Sequence, residues 1–280
     1  MPQSISPKTL ANTTQRNLPS ETHDQCNGCR AVTGNGEIID RLPCVDDARG
    51  ANRARVYISK QNLNMPRSSL RRPGQDLDLS RHLIDTDNLP ETLSSGSLFG
   101  NHLPLELEIG SGKGLFIDNA ASMNPNHNYL GIEIIAKYAK HSAAKLARRQ
   151  SANAMMISGN AEPLLANLVS AESLEAVHVY FPDPWWKKRH RKRRVLNESS
   201  ILNLTRCLRP GGRFHFWTDV LDYFENTVEL IAEISPILGV PIPEDKIPAT
   251  HDLDYRTHFE RRSRQNLIPV YRVRYEKRDR

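Results

Sequence analysis

The chain has 280 residues, a quarter of them charged, and a formal net charge of +6. No run approaches the roughly 18 apolar residues of a membrane span, and the N-terminus lacks the charged-then-apolar order of a signal peptide, so the chain reads as cytosolic. Four cysteines, Cys26, Cys29, Cys44 and Cys207, are too few and too unevenly placed for a disulfide framework at this length. Only two of the 18 aromatic residues, Tyr57 and Phe99, fall in the first 100 positions. Residues 1–65 are therefore expected to form a low-complexity, disordered leader, followed by an N-terminal arm over 66–103 and one domain over 104–280. Within the leader, His23, Cys26, Cys29 and Cys44 have tolerable spacing for zinc, but they read as thiols in a floppy segment and no metal is assigned.

From Leu105 onward short apolar runs alternate with helical stretches. Residues 105–109 form the first expected strand, and the turn Gly110-Ser111-Gly112-Lys113-Gly114 opens a helix through Ala121. Residues 129–134 give a second strand, and Ala136, Ala139, Ala143, Leu146 and Ala147 follow at helical spacing. Strands are expected at 154–158 and 176–181. Ile201, Leu204, Cys207 and Leu208 then stripe a helix that Pro210-Gly211-Gly212 should stop. A strand at 213–217, a helix at 222–234 and an alternating antiparallel strand at 269–277 complete the pattern. Five strand-helix units with a closing antiparallel strand predict a doubly wound α/β fold, whose ligands sit beyond the carboxyl ends of the strands.

Gly110-x-Gly112-x-Gly114 has Leu115 where a dinucleotide fingerprint needs its third glycine, and Gly112-Lys113 is followed by Gly114 rather than Ser or Thr, so it is no phosphate-binding loop. It remains a tight strand-to-helix turn that lets backbone approach a ligand, preceded by Glu108. Glu133, about 20 residues further on, is placed to accept both ribose hydroxyls of an adenosine; its alternative is a solvated strand-end acid. Asn160, past the third strand, can offer its amide to an adenine edge or serve as a turn residue. In this order the three resemble the adenosine-methionine constellation of class I methyltransferases.

Phe181-Pro182-Asp183-Pro184-Trp185 closes the fourth strand, and its two prolines restrict the backbone on both sides of Asp183. Lys187 through Arg194 then carry seven positive charges in eight residues, and removing them from the net +6 leaves −1. The basicity is thus concentrated, as a polyanion-binding patch requires, although a charge run by itself also fits a solvated face or a localisation signal. A second basic excess, nine Arg or Lys against three acids, lies in residues 256–280.

Over residues 104–277 the sequence resembles the tRNA guanine-N7 methyltransferase family. The resemblance rests on residues 107–114, Gly131-Ile132-Glu133, the Phe181 to Trp185 motif with its basic tail, Trp217-Thr218-Asp219 and Thr257-His258-Phe259-Glu260. It implies a class I, Rossmann-like fold with a mostly parallel seven-stranded sheet and an antiparallel last strand. The implied activity is methyl transfer from S-adenosylmethionine to N7 of a guanine in tRNA, at position 46 of the variable loop, with tRNA as partner and no membrane or obligate protein partner. Glu108, Gly110, Gly112, Glu133, Asn160 and Asp183 would then face the cofactor, with Asp183 also at the catalytic centre. Lys187, Asp219, Thr257, His258, Phe259 and Glu260 would shape the guanosine pocket, while Arg189, His190, Arg191, Lys192, Arg193 and Arg194 would track tRNA. Their alternatives are a surface lysine, a strand-end cap acid, a polar loop and a solvated charge run. The sequence departs from the family in its long N-terminal extension and in Asn160, which stands where many bacterial members carry Asp. Two rivals remain open: a methyltransferase acting on exocyclic amines, whose motif has a second proline where this chain has Trp185, and an RNA-binding paralogue that has lost catalysis.

Overall fold

A computed structural model describes residues 77–279 except 247 and 249–253, and gives the backbone alone at 31–32, 38–39, 188, 191 and 192. The chain divides into two units, Met1–Pro66 and Arg67–Arg280. In the first, β1 (Ala31–Val32) and β2 (Ile38–Ile39) pair antiparallel. The leader's expected disorder, and its His23, Cys26, Cys29 and Cys44, lie otherwise outside the described residues.

The second unit is organised by β4 (Leu105–Ile109), where side chains alternate between two faces. Leu105, Leu107 and Ile109 point to one side, and Glu106 and Glu108 to the other. Around it the chain order is β3 (Leu83–Asp85), α1 (Ser95–Phe99), β4, α2 (Leu115–Met123), β5 (Asn128–Glu133), α3 (Ala136–Arg148), β6 (Ala154–Ser158), α4 (Ala161–Asn167) and β7 (Leu174–Tyr180). There follow a 3-10 turn (Lys188–Arg193), α5 (Glu198–Cys207), β8 (Leu208–Thr218), α6 (Leu221–Ile234), β9 (Ile242–Pro243), α7 (His258–Gln265) and β10 (Tyr271–Glu276).

The strands form one sheet in the order β3-β6-β5-β4-β7-β8-β10-β9, parallel from β3 to β8 and antiparallel at β10 and β9. The chain winds outward from β4 through β5 and β6, then resumes on the other side at β7, so the strand order reverses at β4 and β7. A doubly wound sheet binds ligands at such a switch point. The expected α/β fold is present with eight strands in the sheet rather than seven. The edge strands β3 and β9 are three and two residues long, too short to leave a period in the sequence. Pro210-Gly211-Gly212 does not stop a helix but lies inside β8, whose pairing with β7 shifts register beside it. Leu208 begins that strand instead of ending the helical stripe.

Leu105, Leu107, Ile109, Leu130, Ile132, Val177, Val179, Phe214 and Phe216 build one apolar face, covered by Leu164 and Leu165 of α4, Ile201 and Leu204 of α5, and Tyr223 and Ile231 of α6. On the opposite face Phe116 and Ile117 of α2 and Ala143 and Leu146 of α3 meet Tyr129, Met156, Tyr180 and Trp217. No helix among the described residues is long and apolar enough to cross a membrane.

Candidate active site

The carboxyl ends of the parallel strands collect most of the residues singled out in the sequence. At the end of β4, Gly110, Gly112 and Gly114 have φ of 79°, 54° and 67°, a left-handed run open to glycine at little steric cost. Glu133, the last residue of β5 and buried, accepts from Gly112 N–H and from Ile135 N–H, both at 2.8 Å. The acid therefore braces the glycine turn it faces. Gly131 sits beside Glu108 in the sheet, and a Cβ there would lie 2.6 Å from Ser111 Oγ and Met156 Sδ. The close approach leaves Glu108 beneath the turn, 3% exposed, with its Oε2 lacking a hydrogen-bond partner. Burial, reinforced by the charge of Glu133, pushes the Glu108 carboxyl up to about 8. A buried acid at a strand end, with one carboxylate oxygen unpartnered, is chemically suited to a cationic ligand group.

Asn160 is exposed and caps α4, its Oδ1 accepting from Glu162 N–H at 3.1 Å. The turn role is realised in this residue, and its amide lies at the rim beyond β6.

Beyond β7 the backbone is strained. Phe181 and Trp185 have φ of 50° and 45°, a conformation that costs bulky residues ~1–3 kcal/mol each and persists only where surroundings enforce it. Here Phe181 N–H donates to Trp217 O at 2.7 Å, and its ring stacks on Phe259 at 6.0 Å. Arg193 lies over the Trp185 ring at 5.1 Å, and His190 packs edge-on to it. Between these two anchors Asp183 is exposed at the rim. Its charge reaches Tyr223, whose hydroxyl is pushed up to about 12 by burial first and by Asp183 in part. Asp219 follows β8 directly and is half-buried. The Phe181–Trp217 hydrogen bond joins the loops that carry the two acids.

The basic stretch and the 257–260 segment divide by role. Lys187, Arg189 and Arg193 are exposed and His190 is half-buried, with Arg189 Nε donating to His190 Nε2 at 3.2 Å. Arg194, expected on the RNA face with them, is instead turned inward and buried. Thr257 is buried and caps α7 by accepting from Glu260 N–H at 3.0 Å. Phe259 is 54% exposed, whereas Glu260 is 1% exposed and bound to Arg264, to Arg272 at 3.3 Å and to Arg256 N–H at 2.8 Å. Glu260 thus ties down the loop instead of offering a free carboxylate to a base. His258 is half-buried, and burial together with the charges of Arg261, Lys145 and Lys113 pulls it down to about 4, so it is neutral near pH 7.

A polar chain beneath the rim was not anticipated from the sequence. Arg256 Nη1 donates to Tyr180 Oη at 2.9 Å, and since a guanidinium only donates, the tyrosine proton goes to His178 Nδ1 at 2.9 Å. His178 Nε2–H then donates to Glu106 at 2.7 Å, and Glu106 also pairs with His127 at 2.6 Å. Burial alone would raise Glu106, but His178 and His127 override it and hold it at about 2; burial pulls His178 down to about 4, the neutral tautomer this chain requires. Alongside, Glu244 accepts from Trp217 Nε1 at 2.6 Å and pairs with His215, while Arg256 and Arg272 lie over the Trp217 ring at 5.2 and 5.0 Å. Among the described residues no three His, Cys, Asp or Glu are grouped to hold a metal ion.

Residues 102–273 match a family model described as "Putative methyltransferase". A tRNA (guanine-N(7)-)-methyltransferase of Rhodopirellula baltica is 61% identical over 227 residues, 79% of this chain and 84% of that protein. One from Francisella philomiragia is 32% identical over 228 residues, 78% of this chain and 98% of its own length. Among solved structures, the 16S rRNA methyltransferase KamB overlays with a TM-score of 0.49 at 16% identity, covering 68% of this chain and 96% of that one. The matched region holds the glycine turn, both strand-end acids, the Asp183 loop and the α7 cap, and on these relatives the chain belongs to the tRNA (guanine-N7-)-methyltransferase family.

Proposed function

We infer that the protein transfers the methyl group of S-adenosylmethionine to N7 of a guanine in tRNA, and we place that guanine at position 46 in the variable loop. The observation that carries this reading is the convergence at the switch point of the sheet. A buried acid with one unpartnered oxygen lies under a glycine turn at the end of β4, and an exposed acid continuous with a basic turn lies at the end of β7. The cofactor, when bound, supplies an electrophilic methyl group on a sulfonium sulfur. Glu108 fits its cationic part, Gly110 and Gly112 let the backbone approach it, Glu133 faces its ribose and Asn160 its adenine edge.

N7 of guanine has an in-plane lone pair and no hydrogen, so attack needs no general base. What the protein contributes is alignment and charge. Asp183, held by the strained loop, stands where it can oppose the positive charge that grows on the ring or accept from the guanine amino group. Asp219, Lys187 and the exposed Phe259 border the same rim and shape the base pocket, with Thr257 and Glu260 fixing the loop that presents Phe259 and the neutral His258. Lys187, Arg189 and Arg193 neutralise backbone phosphates, together with His190, Arg191 and Lys192. We place this activity in the cytoplasm, with tRNA as the partner. Incubation with radiolabelled cofactor and bulk tRNA, then digestion to nucleosides, tests it. The label is expected in N7-methylguanosine; label on an exocyclic amine, or no cofactor binding at all, would overturn it.

A further inference from the structure

The basic octet is not one surface. Arg194 is 8% exposed, whereas Lys187, Arg189 and Arg193 are open to solvent. Its Nε donates to the Pro184 carbonyl at 2.9 Å, its Nη2 reaches Asp222 Oδ2 on α6 at 3.2 Å, and its guanidinium lies 4.4 Å over the ring of Tyr223. The partners are themselves fixed. Tyr223 is 1% exposed and accepts from Leu196 N–H at 3.3 Å, while Asn197, which caps α5, donates to the Arg194 carbonyl at 3.3 Å. Pro184 directly follows Asp183, and its carbonyl belongs to the peptide that leads into Trp185 at φ 45°. A left-handed aromatic needs its neighbours to hold it there, and Arg194 supplies the contact that reaches from this peptide into the packed body of the fold.

We propose that Arg194 is a positioning residue: it fixes the Pro184–Trp185 peptide against α6 and so aims Asp183, leaving the exposed cations before it to grip the RNA. The proposal rests on the reading of Asp183 as the acid at the methyl acceptor. It makes residues 184–194 a closed span, in which the cations that hold phosphate and the carboxylate that meets the base are set at a fixed separation. A lysine at 194 cannot reproduce it, because one ammonium lacks the planar fork that donates in two directions while stacking on a ring.

Single-turnover methylation at saturating cofactor and tRNA, with tRNA Kd measured across a salt series, separates this role from RNA binding. Arg194→Met should lower the rate about 100-fold, the scale of a misaligned reacting pair, with cofactor Kd and the slope of log Kd against log salt unchanged. Arg194→Lys should recover part of the rate. Arg189→Met should instead reduce the salt slope by about one and weaken tRNA binding. Near-ultraviolet circular dichroism reports the folded fraction, and rates are expressed per folded protein, so lost stability alone would not move them. If Arg194→Met fails to fold, Asp222→Asn, whose side chain is half exposed, carries the test with a smaller fall in the same rate and no change of slope. A reduced salt slope with the rate intact in Arg194→Met, or full rates in both Arg194→Met and Asp222→Asn, would overturn the proposal. Asp183→Asn run alongside separates the two layers. Its inactivity with Arg194→Met fully active sinks only the positioning role, whereas a fully active Asp183→Asn removes the reading beneath it too.

Discussion

On one side of the sheet Leu105, Leu107, Ile109, Val177, Val179, Phe214 and Phe216 close against α4, α5 and α6 with little but hydrocarbon between them. On the other side, at the alternate positions of the same strands, stand Glu106, Glu108, His178, Tyr180, His215 and Trp217; hydrogen bonds join Tyr180, His178 and Glu106 in one chain, and Glu244 joins His215 to Trp217 beside it. A two-residue period gives each strand both faces, so one sheet carries an area-driven core and a directional polar network back to back. The first tolerates any side chain of suitable shape, whereas the second depends on donors and acceptors matching in sequence from Arg256 to Glu106. That difference explains why the site lies where the polar face reaches the strand ends.

The largest break in this comparison should come from the apolar face. Phe216→Ala, at a position with no solvent exposure, is expected to cost about 3–5 kcal/mol of folding stability in denaturant titration while cofactor Kd stays unchanged. Loss of cofactor binding with stability intact would invert the assignment of roles. A gentler substitution sharpens the contrast: Glu106→Gln keeps size but weakens the acceptor shared by His127 and His178, and should cost about 1–3 kcal/mol. Leu107→Met on the opposite face of the same strand should cost under about 1.5 kcal/mol. Equal tolerance at the two positions would argue against a network that depends on matched donors and acceptors.

The polar face also predicts a pH dependence. Glu108 is raised from 4.5 to about 8, so between those values the folded protein holds one more proton than the unfolded chain and folding stability falls as pH rises through the window. If Glu108 meets the cationic part of the cofactor as proposed, that group binds the ionised form and displaces the proton. Cofactor affinity should therefore rise by up to about tenfold per pH unit between pH 6 and 8, and Glu108→Gln should flatten the profile. Calorimetry in buffers of different ionisation enthalpy reads the released proton directly. A wild-type affinity independent of pH would mean that Glu108 does not meet a cation.

Much of the fold was legible because it is periodic. The strands at Leu105–Ile109 and Ala154–Ser158 coincide with the apolar runs read from the sequence, and α3 and α6 follow their helical stripes within a residue or so. Short elements left no such trace, among them β3, β9 and α7, half of whose eight residues are charged. At the site, residue types were legible but their directions were not. Asn160 takes the turn role read for it beside the adenine one, through a local cap on Glu162 N–H, whereas Arg194 stands in the expected segment yet points inward, an outcome set by its contacts with Pro184 and Asp222. Glu106 had a signal that went unread: in Leu105-Glu106-Leu107-Glu108-Ile109 both acids fall on one face, and His178 interrupts the apolar run of Ala176, Val177 and Val179.

The most direct test of the account is single-turnover methyl transfer to tRNA by the wild-type protein and by Asp183→Asn at saturating cofactor, with the modified base identified. Label is expected in N7-methylguanosine at one site in the variable loop, with a rate about 100- to 1,000-fold lower in the variant, the loss typical of removing one charge-stabilising group. A modified exocyclic amine, or an Asp183→Asn protein that turns over at the wild-type rate, would contradict it.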